Sequence, residues 1–185
     1  MSTSEESATD KVKNLPSEIQ DTYYKVSKAI AQATSAIDNL IGFYNSTVNS
    51  IQKDSNYYSV NLYILGPDKK WAVLKAGTSD EAKSAIQHGH KLAVDGQSMV
   101  SRAINMRSVC MAMIKPENSP IPYPSVELPP VHSELCVPLI SLQKDVIGVL
   151  DVQSTEYETF DEDECVMYMT VADHIVSMLD NKNLL

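Results

Sequence analysis

The sequence has 185 residues, of which 43% are hydrophobic and 21% charged, a composition typical of a folded globular protein. Its net charge of -9 argues against nucleic acid as a partner, because nucleic-acid-binding proteins carry clustered basic residues. No stretch approaches the roughly 20 apolar residues of a membrane span, and the N-terminus lacks an export signal, so we expect a cytoplasmic protein without a membrane partner.

The N-terminal region is predicted to be a tail followed by one long helix. Residues 1–14 are rich in Ser, Thr, Glu and Asp and have almost nothing to bury, so we predict a disordered acidic tail. Pro16 suits a first helical turn, and Ser17 with Gln20 three residues later forms a capping-box pattern. Apolar or small residues then recur at spacings of three and four, which predicts a single helix over residues 15–53.

This helix would be about 55 Å long at a rise of 1.5 Å per residue, longer than a small sheet can cover. Its surplus apolar stripe has the heptad spacing of a coiled coil, and the simplest partner is the same helix of a second copy. We therefore expect a homodimer that forms through residues 16–52 and 161–182. The alternative is that the stripe packs only on its own sheet and closing helix.

The remaining residues, 54–185, are predicted to form one α+β domain. Apolar runs bounded by Gly, Pro and Asp turns predict strands, and capped amphipathic segments predict helices. The strands are expected at 57–65, 71–76, 91–94, 108–114, 135–142 and 146–152. Short helices are expected at 79–87 and 97–106, and a closing helix begins at a capping box after Phe160.

Two features of this domain organise the rest. The runs at 135–142 and 146–152 have apolar groups on both faces, so they are expected to form a hairpin in the middle of the sheet. Residues 115–131 contain most of the prolines and cannot be regular. Such a long connection in a compact domain is usually a binding loop or a lid.

The motifs SELCVPL and VIGVLDVQS, the linker ending in Phe160 and the helix containing VADHIVSMLDNKNL resemble the last strands and closing helix of a GAF domain. The upstream segment HGHKLAVDGQSMVSRAINMRSVCMA resembles the strand, short helix and strand that precede them. The resemblance implies a central antiparallel sheet of five or six strands. Long N- and C-terminal helices would cover one face, and short helices with the Pro-rich loop would roof a small-molecule pocket on the other.

By this resemblance we expect a non-catalytic sensory domain of signal transduction. It would bind a small molecule under the 115–131 loop and pass the signal through the helical dimer interface to a separate signalling protein. Two alternatives remain: a constitutive scaffold module without a ligand, and a haem-binding gas or redox sensor. The cofactor is left open.

The resemblance also implies the lining of the pocket. Arg102 and Arg107 can pair with an anionic group of a ligand, methionines give an adaptable wall, and His132 is the axial ligand if haem binds. No other metal site is predicted. The full set of expected ligand-binding residues is Ser98, Met99, Arg102, Met106, Arg107, Cys110, Met113, Tyr123, His132 and Glu134.

An enzymatic alternative comes from the free methionine-(R)-sulfoxide reductases, single GAF domains that share the Ser-Glu start of the strand at residue 133. Their chemistry needs a nucleophilic thiolate and a resolving thiol. Their pattern has Gly-Val-Cys-Gly where this chain has Ser-Met-Val-Ser at 98–101, and a Cys in the loop before Ser133, where this chain has none. The cysteines, Cys110, Cys136 and Cys165, lie in apolar runs and are expected to be buried thiols, which argues against catalysis.

Overall fold

The computed structural model describes residues 8–113, except 36, 38 and 54, and residues 131–182. Within these ranges the chain forms six helices and six strands. The helices are α1 (Ala8–Lys13), α2 (Ser17–Thr34), α3 (Leu40–Lys53), α4 (Asp80–Gln87), α5 (Met99–Met106) and α6 (Glu162–Asn181). The strands are β1 (Ser59–Leu65), β2 (Trp71–Gly77), β3 (Lys91–Ala93), β4 (Cys110–Met113), β5 (Ser133–Ile140) and β6 (Val146–Ser154).

The six strands form one antiparallel sheet in the order β3-β2-β1-β6-β5-β4. The hairpin of β5 and β6 therefore lies inside the sheet, between β1 and β4, and its predicted central position is confirmed. Val149, Leu150 and Val152 of β6 are fully buried although they point to different faces. Both faces of this hairpin are covered, as the continuous apolar runs predict.

The two faces of the sheet carry separate layers of helices. Leu135, Val137 and Leu139 of β5 belong to the larger hydrophobic core, which they share with α2, α3 and α6. Cys136, on the opposite face of the same strand, belongs to a second cluster with residues of α4 and α5. The predicted α+β architecture is thus confirmed. None of the helices that the structure describes has both the length and the apolar composition of a membrane span.

The prediction of a disordered tail over residues 1–14 is wrong for its second half. Residues Ala8–Lys13 form α1, which packs against α6. Val12 of this helix is fully buried in the larger core. A single buried valine in a polar segment produces no periodic apolar pattern. The polar composition of the segment therefore predicted a disordered tail. Residues 1–7 lie outside the described part of the chain.

The prediction of one helix over residues 15–53 is also wrong, because the chain breaks between Thr34 and Leu40. Asn39 Oδ1 accepts a hydrogen bond of 2.8 Å from the backbone N–H of Gly42. This is the N-cap arrangement that starts a new helix. The ammonium group of Lys182, after α6, donates to the carbonyl oxygens of Ser35 at 3.3 Å and Ile37 at 3.1 Å and so holds the connection in place.

The break changes the argument for a dimer. The apolar stripe is divided between two helices, and Val26 and Ile30 of α2 are buried in the same core as Phe43 and Val48 of α3. The surplus stripe that favoured a second copy is therefore covered within the protein's own core, as the alternative interpretation held. Homodimer formation through residues 16–52 and 161–182 stays a prediction, and it depends on the side chains that these helices leave exposed.

Helix α6 begins as the sequence predicts. Asp161 Oδ1 accepts a hydrogen bond of 2.9 Å from the backbone N–H of Glu164, and Glu164 Oε2 accepts one of 3.1 Å from the N–H of Asp161. Phe160, just before the cap, is buried, and its ring centroid lies 5.4 Å from that of Tyr57. The reciprocal cap fixes where the chain leaves the sheet and enters the helical layer.

This cap gives a first testable expectation. Asp161→Ala is expected to lower the free energy of unfolding by about 1 kcal/mol, because it removes the acceptor for an N–H group of the first turn. Asp161→Asn keeps an oxygen at the same place and is the matched control, expected to retain most of the stability. Urea unfolding of both variants measures the difference, and equal losses in the two would show that charge rather than capping is responsible.

Candidate functional site

A group of polar side chains interrupts the apolar sheet on the face that carries α4 and α5. Three neighbouring strands contribute to it, and nearly all of its members are buried. We call this group the polar floor. It consists of Ser59 and Asn61 of β1, Glu134 and Cys136 of β5, and Asp151 and Gln153 of β6.

Strand register brings these residues together in two adjacent rows. Asp151 of β6 pairs with Asn61 of β1 on one side and with Cys136 of β5 on the other. Cys136 in turn pairs with Cys110 of β4. The second row consists of Ser59, Gln153, Glu134 and Ala112. Because directly opposed residues point to the same face, both rows present their side chains to the α5 side.

Asp151 is the centre of the polar floor. Its Oδ2 accepts hydrogen bonds from Gln153 Nε2 at 3.0 Å and Asn61 Nδ2 at 3.2 Å. Ser59 Oγ donates to Asn61 Oδ1 at 2.9 Å and so fixes the orientation of that amide. The other carboxylate oxygen, Oδ1, lies 3.6 Å from Cys136 Sγ. Two amides therefore hold one oxygen of Asp151 and leave the second directed toward Cys136.

The electrostatics of the floor disfavour negative charge. Burial raises the pKa of Asp151 well above its ordinary value, the nearby Glu134 carboxylate raises it further, and the hydrogen bond from Asn61 lowers it. Burial likewise raises the pKa of the Cys136 thiol well above its ordinary range, with Asp151 and Glu134 adding to the effect. Since Cys136 Sγ lies 3.6 Å from both carboxylates, a positive charge placed here would relieve all three groups.

Gly77, at the end of β2, makes room for the floor. It pairs with Asn61 across β1 and β2. A Cβ at this position would lie 2.7 Å from Asn61 Oδ1 and 2.5 Å from the Cβ of Ala82 in α4. The missing side chain therefore allows α4 to lie close to the sheet while the Asn61 amide keeps its bond to Asp151.

The structure divides the residues that the sequence predicts on α5. Ser98 is the N-cap, and its Oγ accepts a hydrogen bond of 3.1 Å from the N–H of Ser101. Met99 is buried in the second cluster, which also contains Cys136 and Val149. Arg102 is exposed, and Met106 at the end of the helix is 61% exposed. Of these four residues, Ser98 and Met99 at the start of α5 therefore face inward, and Arg102 and Met106 do not.

The predicted residues after α5 lie around β4. Arg107 ends the helix in the left-handed conformation, with φ of 53°, and its side chain is exposed. Cys110 is buried, and burial raises the pKa of its thiol while the charge of Arg102 lowers it. Met113 is 46% exposed. Of this group, only Cys110 reaches the floor, through its pairing with Cys136.

The remaining predicted residues have different outcomes. Glu134 belongs to the floor. The imidazole of His132 stacks on the ring of Tyr157, with centroids 4.1 Å apart and an interplanar angle of 20°. Its role as a haem ligand stays a prediction. Tyr123 and residues 114–130, which include nearly all of the predicted loop, lie outside the described residues.

Sequence reasoning missed Asn61, Asp151 and Gln153. A signal for two of them was present, because Asp151 and Gln153 alternate within VIGVLDVQS, a strand predicted to be covered on both faces. A carboxylate is rarely fully buried unless it has a dedicated partner, so its position in such a strand indicates a site. Asn61 gives no such signal, because only the β1–β6 register brings it to Asp151.

Comparison with known proteins agrees with this fold. A family model described as the GAF domain matches residues 31–180, which is most of the chain. The chain therefore belongs to the GAF domain family. The sequences of curated proteins gave no match.

Solved structures with the same fold include a reductase and a GAF domain of a phosphotransferase. The free methionine-R-sulfoxide reductase of Neisseria meningitidis in complex with its substrate is 15% identical, with a TM-score of 0.71, and the match covers 100% of this chain and 96% of that one. The GAF domain of a phosphoenolpyruvate-protein phosphotransferase from Coxiella burnetii is 20% identical, with a TM-score of 0.71 and coverage of 89% and 98%. At these identities the likeness concerns the fold.

Proposed function

We propose that this GAF domain is a non-catalytic sensory domain that binds a small ligand over the polar floor, with a positive charge held beside Glu134 and Asp151. One observation carries the proposal. The buried carboxylate of Asp151 has one oxygen fixed by two amides, while the other faces the Cys136 thiol, which also contacts Glu134. Such clustering of acidic groups is costly in an empty protein and is typical of a binding site.

The state of the thiols supports binding without catalysis. Sulfoxide reduction by a GAF domain needs a reactive thiolate, and a thiol is reactive when its pKa is low. Burial raises the pKa of Cys110, Cys136 and Cys165 instead. The short helix begins with Ser98 and Met99, where the reductase pattern that the sequence resembles has its Gly-Val-Cys-Gly. These features favour a site that holds a ligand and leaves it unchanged.

Strand β5 offers a route from the floor to the helices. Glu134 and Cys136 face the floor, whereas the alternating Leu135 and Val137 pack in the core that contains α6. A ligand that draws Glu134 toward Asp151 would shift β5. Because Leu135 and Val137 share a core with α6, this shift would also change how α6 packs on the sheet. To act as a signal, the ligand must bind one arrangement more tightly than the other by about 1–3 kcal/mol.

The proposed output surface is the outer side of the helical layer. Tyr24 of α2 is 48% exposed and Ile41 of α3 is 69% exposed, so apolar side chains are available to a second copy or to a signalling partner. A homodimer in which α6 changes its packing would convert ligand binding into a change between subunits.

The experiment combines native mass spectrometry of protein purified from cells with thermal-shift titrations of free amino acids, including methionine and methionine sulfoxide. We expect a bound mass or a ligand-dependent rise in Tm. Glu134→Gln is expected to weaken binding about 10- to 150-fold, because a hydrogen bond to a charged group contributes roughly 1.5–3 kcal/mol. Glu81→Gln, on the exposed start of α4, is the matched control with unchanged affinity.

Other outcomes would contradict the proposal in distinct ways. A protein that carries no ligand and that no probe stabilises would favour the scaffold alternative. A Soret band in the purified protein would indicate haem. Consumption of methionine sulfoxide in the presence of a thiol reductant would show that the domain is an enzyme.

A further inference from the structure

We propose that the positive charge in the polar floor is a zinc ion bound by Glu134, Cys136 and Asp151. This inference rests on the proposed function and deepens it, because it names the cation that the floor holds. The sequence alone predicts no such site, since the three residues are spread over two strands and only their register brings them together.

The spacing of the ligand atoms fits zinc. One atom from each of the three residues can be chosen so that all lie within 4.8 Å of one another. Cys136 Sγ is 3.6 Å from Glu134 Oε1 and 3.6 Å from Asp151 Oδ1. In a tetrahedral site with Zn–S near 2.3 Å and Zn–O near 2.0–2.2 Å, a sulfur and an oxygen ligand are about 3.5–3.7 Å apart. The Cys136 thiol therefore lies at coordination spacing from both carboxylates without any movement.

The hydrogen bonds that would orient these ligands are also present. Metal-binding carboxylates are usually oriented by hydrogen bonds from neighbouring groups. Here Asn61 and Gln153 donate to Asp151 Oδ2, and Ser59 donates to Asn61. Asp151 Oδ1 is left on the side of Cys136, where a metal would bind.

An independent observation also indicates a ligand. Gln153 is 93% buried, with a relative exposure of 7%, and no donor within the described ranges reaches its Oε1. The Nε2 of the same amide donates to Asp151 Oδ2, so this side chain belongs to the hydrogen-bond network of the cluster. A buried acceptor without a partner is costly. A water molecule or ligand group on the fourth position of the zinc ion would donate to it.

The Cys136 thiol indicates which class of cation fits the site. Calcium and magnesium prefer oxygen ligands, at six or more positions, and a sulfur between the two carboxylates does not suit them. A ligand ammonium group would find Cys136 a weak acceptor. A thiolate and two carboxylates together carry three negative charges, and zinc, which accepts sulfur and oxygen ligands alike, neutralises most of this charge.

The test uses the full chain stripped with EDTA and titrated with Zn²⁺ by calorimetry and with Co²⁺ by absorption. We expect one metal ion per chain and a sulfur-to-cobalt charge-transfer band. Cys136→Ser is expected to abolish the band and to weaken zinc binding about 100-fold or more, beyond the 10–100-fold typical of losing an outer-layer partner. Cys165→Ser, at the half-buried thiol of α6, is the matched control. It is expected to keep the charge-transfer band and the zinc affinity of the wild type.

Asp151→Asn provides a second variant in case Cys136→Ser fails to fold, and it is also expected to lose the metal. Zinc binding that is absent, or equal in wild type and Cys136→Ser, overturns the inference. If an organic ligand still binds the metal-free protein in a Glu134-dependent manner, the proposed function survives without the zinc site. If neither metal nor organic ligand binds, both fail.

Discussion

Asp151→Asn is expected to make the metal-free and ligand-free protein more stable at neutral pH, by on the order of 1 kcal/mol or more, because it removes a buried charge. The amide can keep two of the three local hydrogen bonds. Its oxygen accepts from Asn61 and Gln153, as Asp151 Oδ2 does, and its NH₂ group takes the place of Oδ1 beside Cys136 Sγ. Urea unfolding in the presence of EDTA measures the difference.

The pH dependence gives a sharper test of the same variant. Burial raises the pKa of Asp151 in the folded protein well above the ordinary value of 3.8. The stability from its protonated form is fully present below that ordinary value and is lost as the pH rises through the raised folded pKa. The metal-free wild type is therefore expected to lose stability as the pH rises above about 4, on account of this residue. The Asp151→Asn variant is expected to lack this pH-dependent change in stability.

Asp145→Asn is the matched control. Asp145 is exposed and forms a surface ion pair with Lys69 at 3.3 Å, so its replacement is expected to change stability by less than about 1 kcal/mol. An Asp151→Asn protein that is less stable than wild type at pH 7, with an unchanged pH profile, would mean that the carboxylate is a structural group. The expected result is the opposite: higher stability together with lost cation binding, the trade-off typical of a binding site.

Local patterns were sufficient to predict the sheet and its closing helix. The hairpin of β5 and β6 is recognisable because both strands have apolar residues on both faces, which only a doubly covered strand tolerates. The cap at Asp161 depends on residues within a single turn, so the sequence contains all of its information. The same holds for Ser79 and Ser98, which cap α4 and α5.

The break between α2 and α3 could not be predicted from periodicity. Residues before Thr34 and after Leu40 keep the same apolar spacing, because both helices bury a stripe in one core. The pattern therefore looks alike for one helix and for two. The local signal for the break is the N-cap residue Asn39, which accepts a hydrogen bond from Gly42. A single capping residue is weak evidence against a continuous apolar stripe.

The polar floor could not be predicted from the sequence, because it depends on the register of three strands. Glu134 was predicted from its place at the start of β5, but its relation to Asp151 and Gln153 depends on how β5 and β6 align. A shift of one residue would send one strand's polar residues to the helical core. The arginines that the sequence favoured as ligand-binding groups are exposed instead, so the site is acidic and fits a cation.

Gly148→Ala is expected to destabilise the protein by about 3 kcal/mol or more, near the upper end for overpacking a core. Gly148 is buried in β6 and pairs with Ile64 of β1 and Leu139 of β5. A Cβ there would collide with the backbone carbonyl oxygen of Tyr63 and lie 3.0 Å from Ile64 Cδ1. A backbone atom cannot turn aside as a side chain can, so β1 and β6 must move apart.

Gly66→Ala is the matched control, since its Cβ would meet Asp68 Oδ1 at 3.3 Å and the carbonyl oxygen of Trp71 at 3.5 Å, contacts that small adjustments relieve. Urea unfolding should separate the two variants, and equal losses would show that glycine entropy rather than the collision is responsible. The pairing that Gly148 permits is also the pairing that places Asn61 against Asp151. Any folded Gly148→Ala protein should therefore bind its cation less tightly than the Gly66→Ala control.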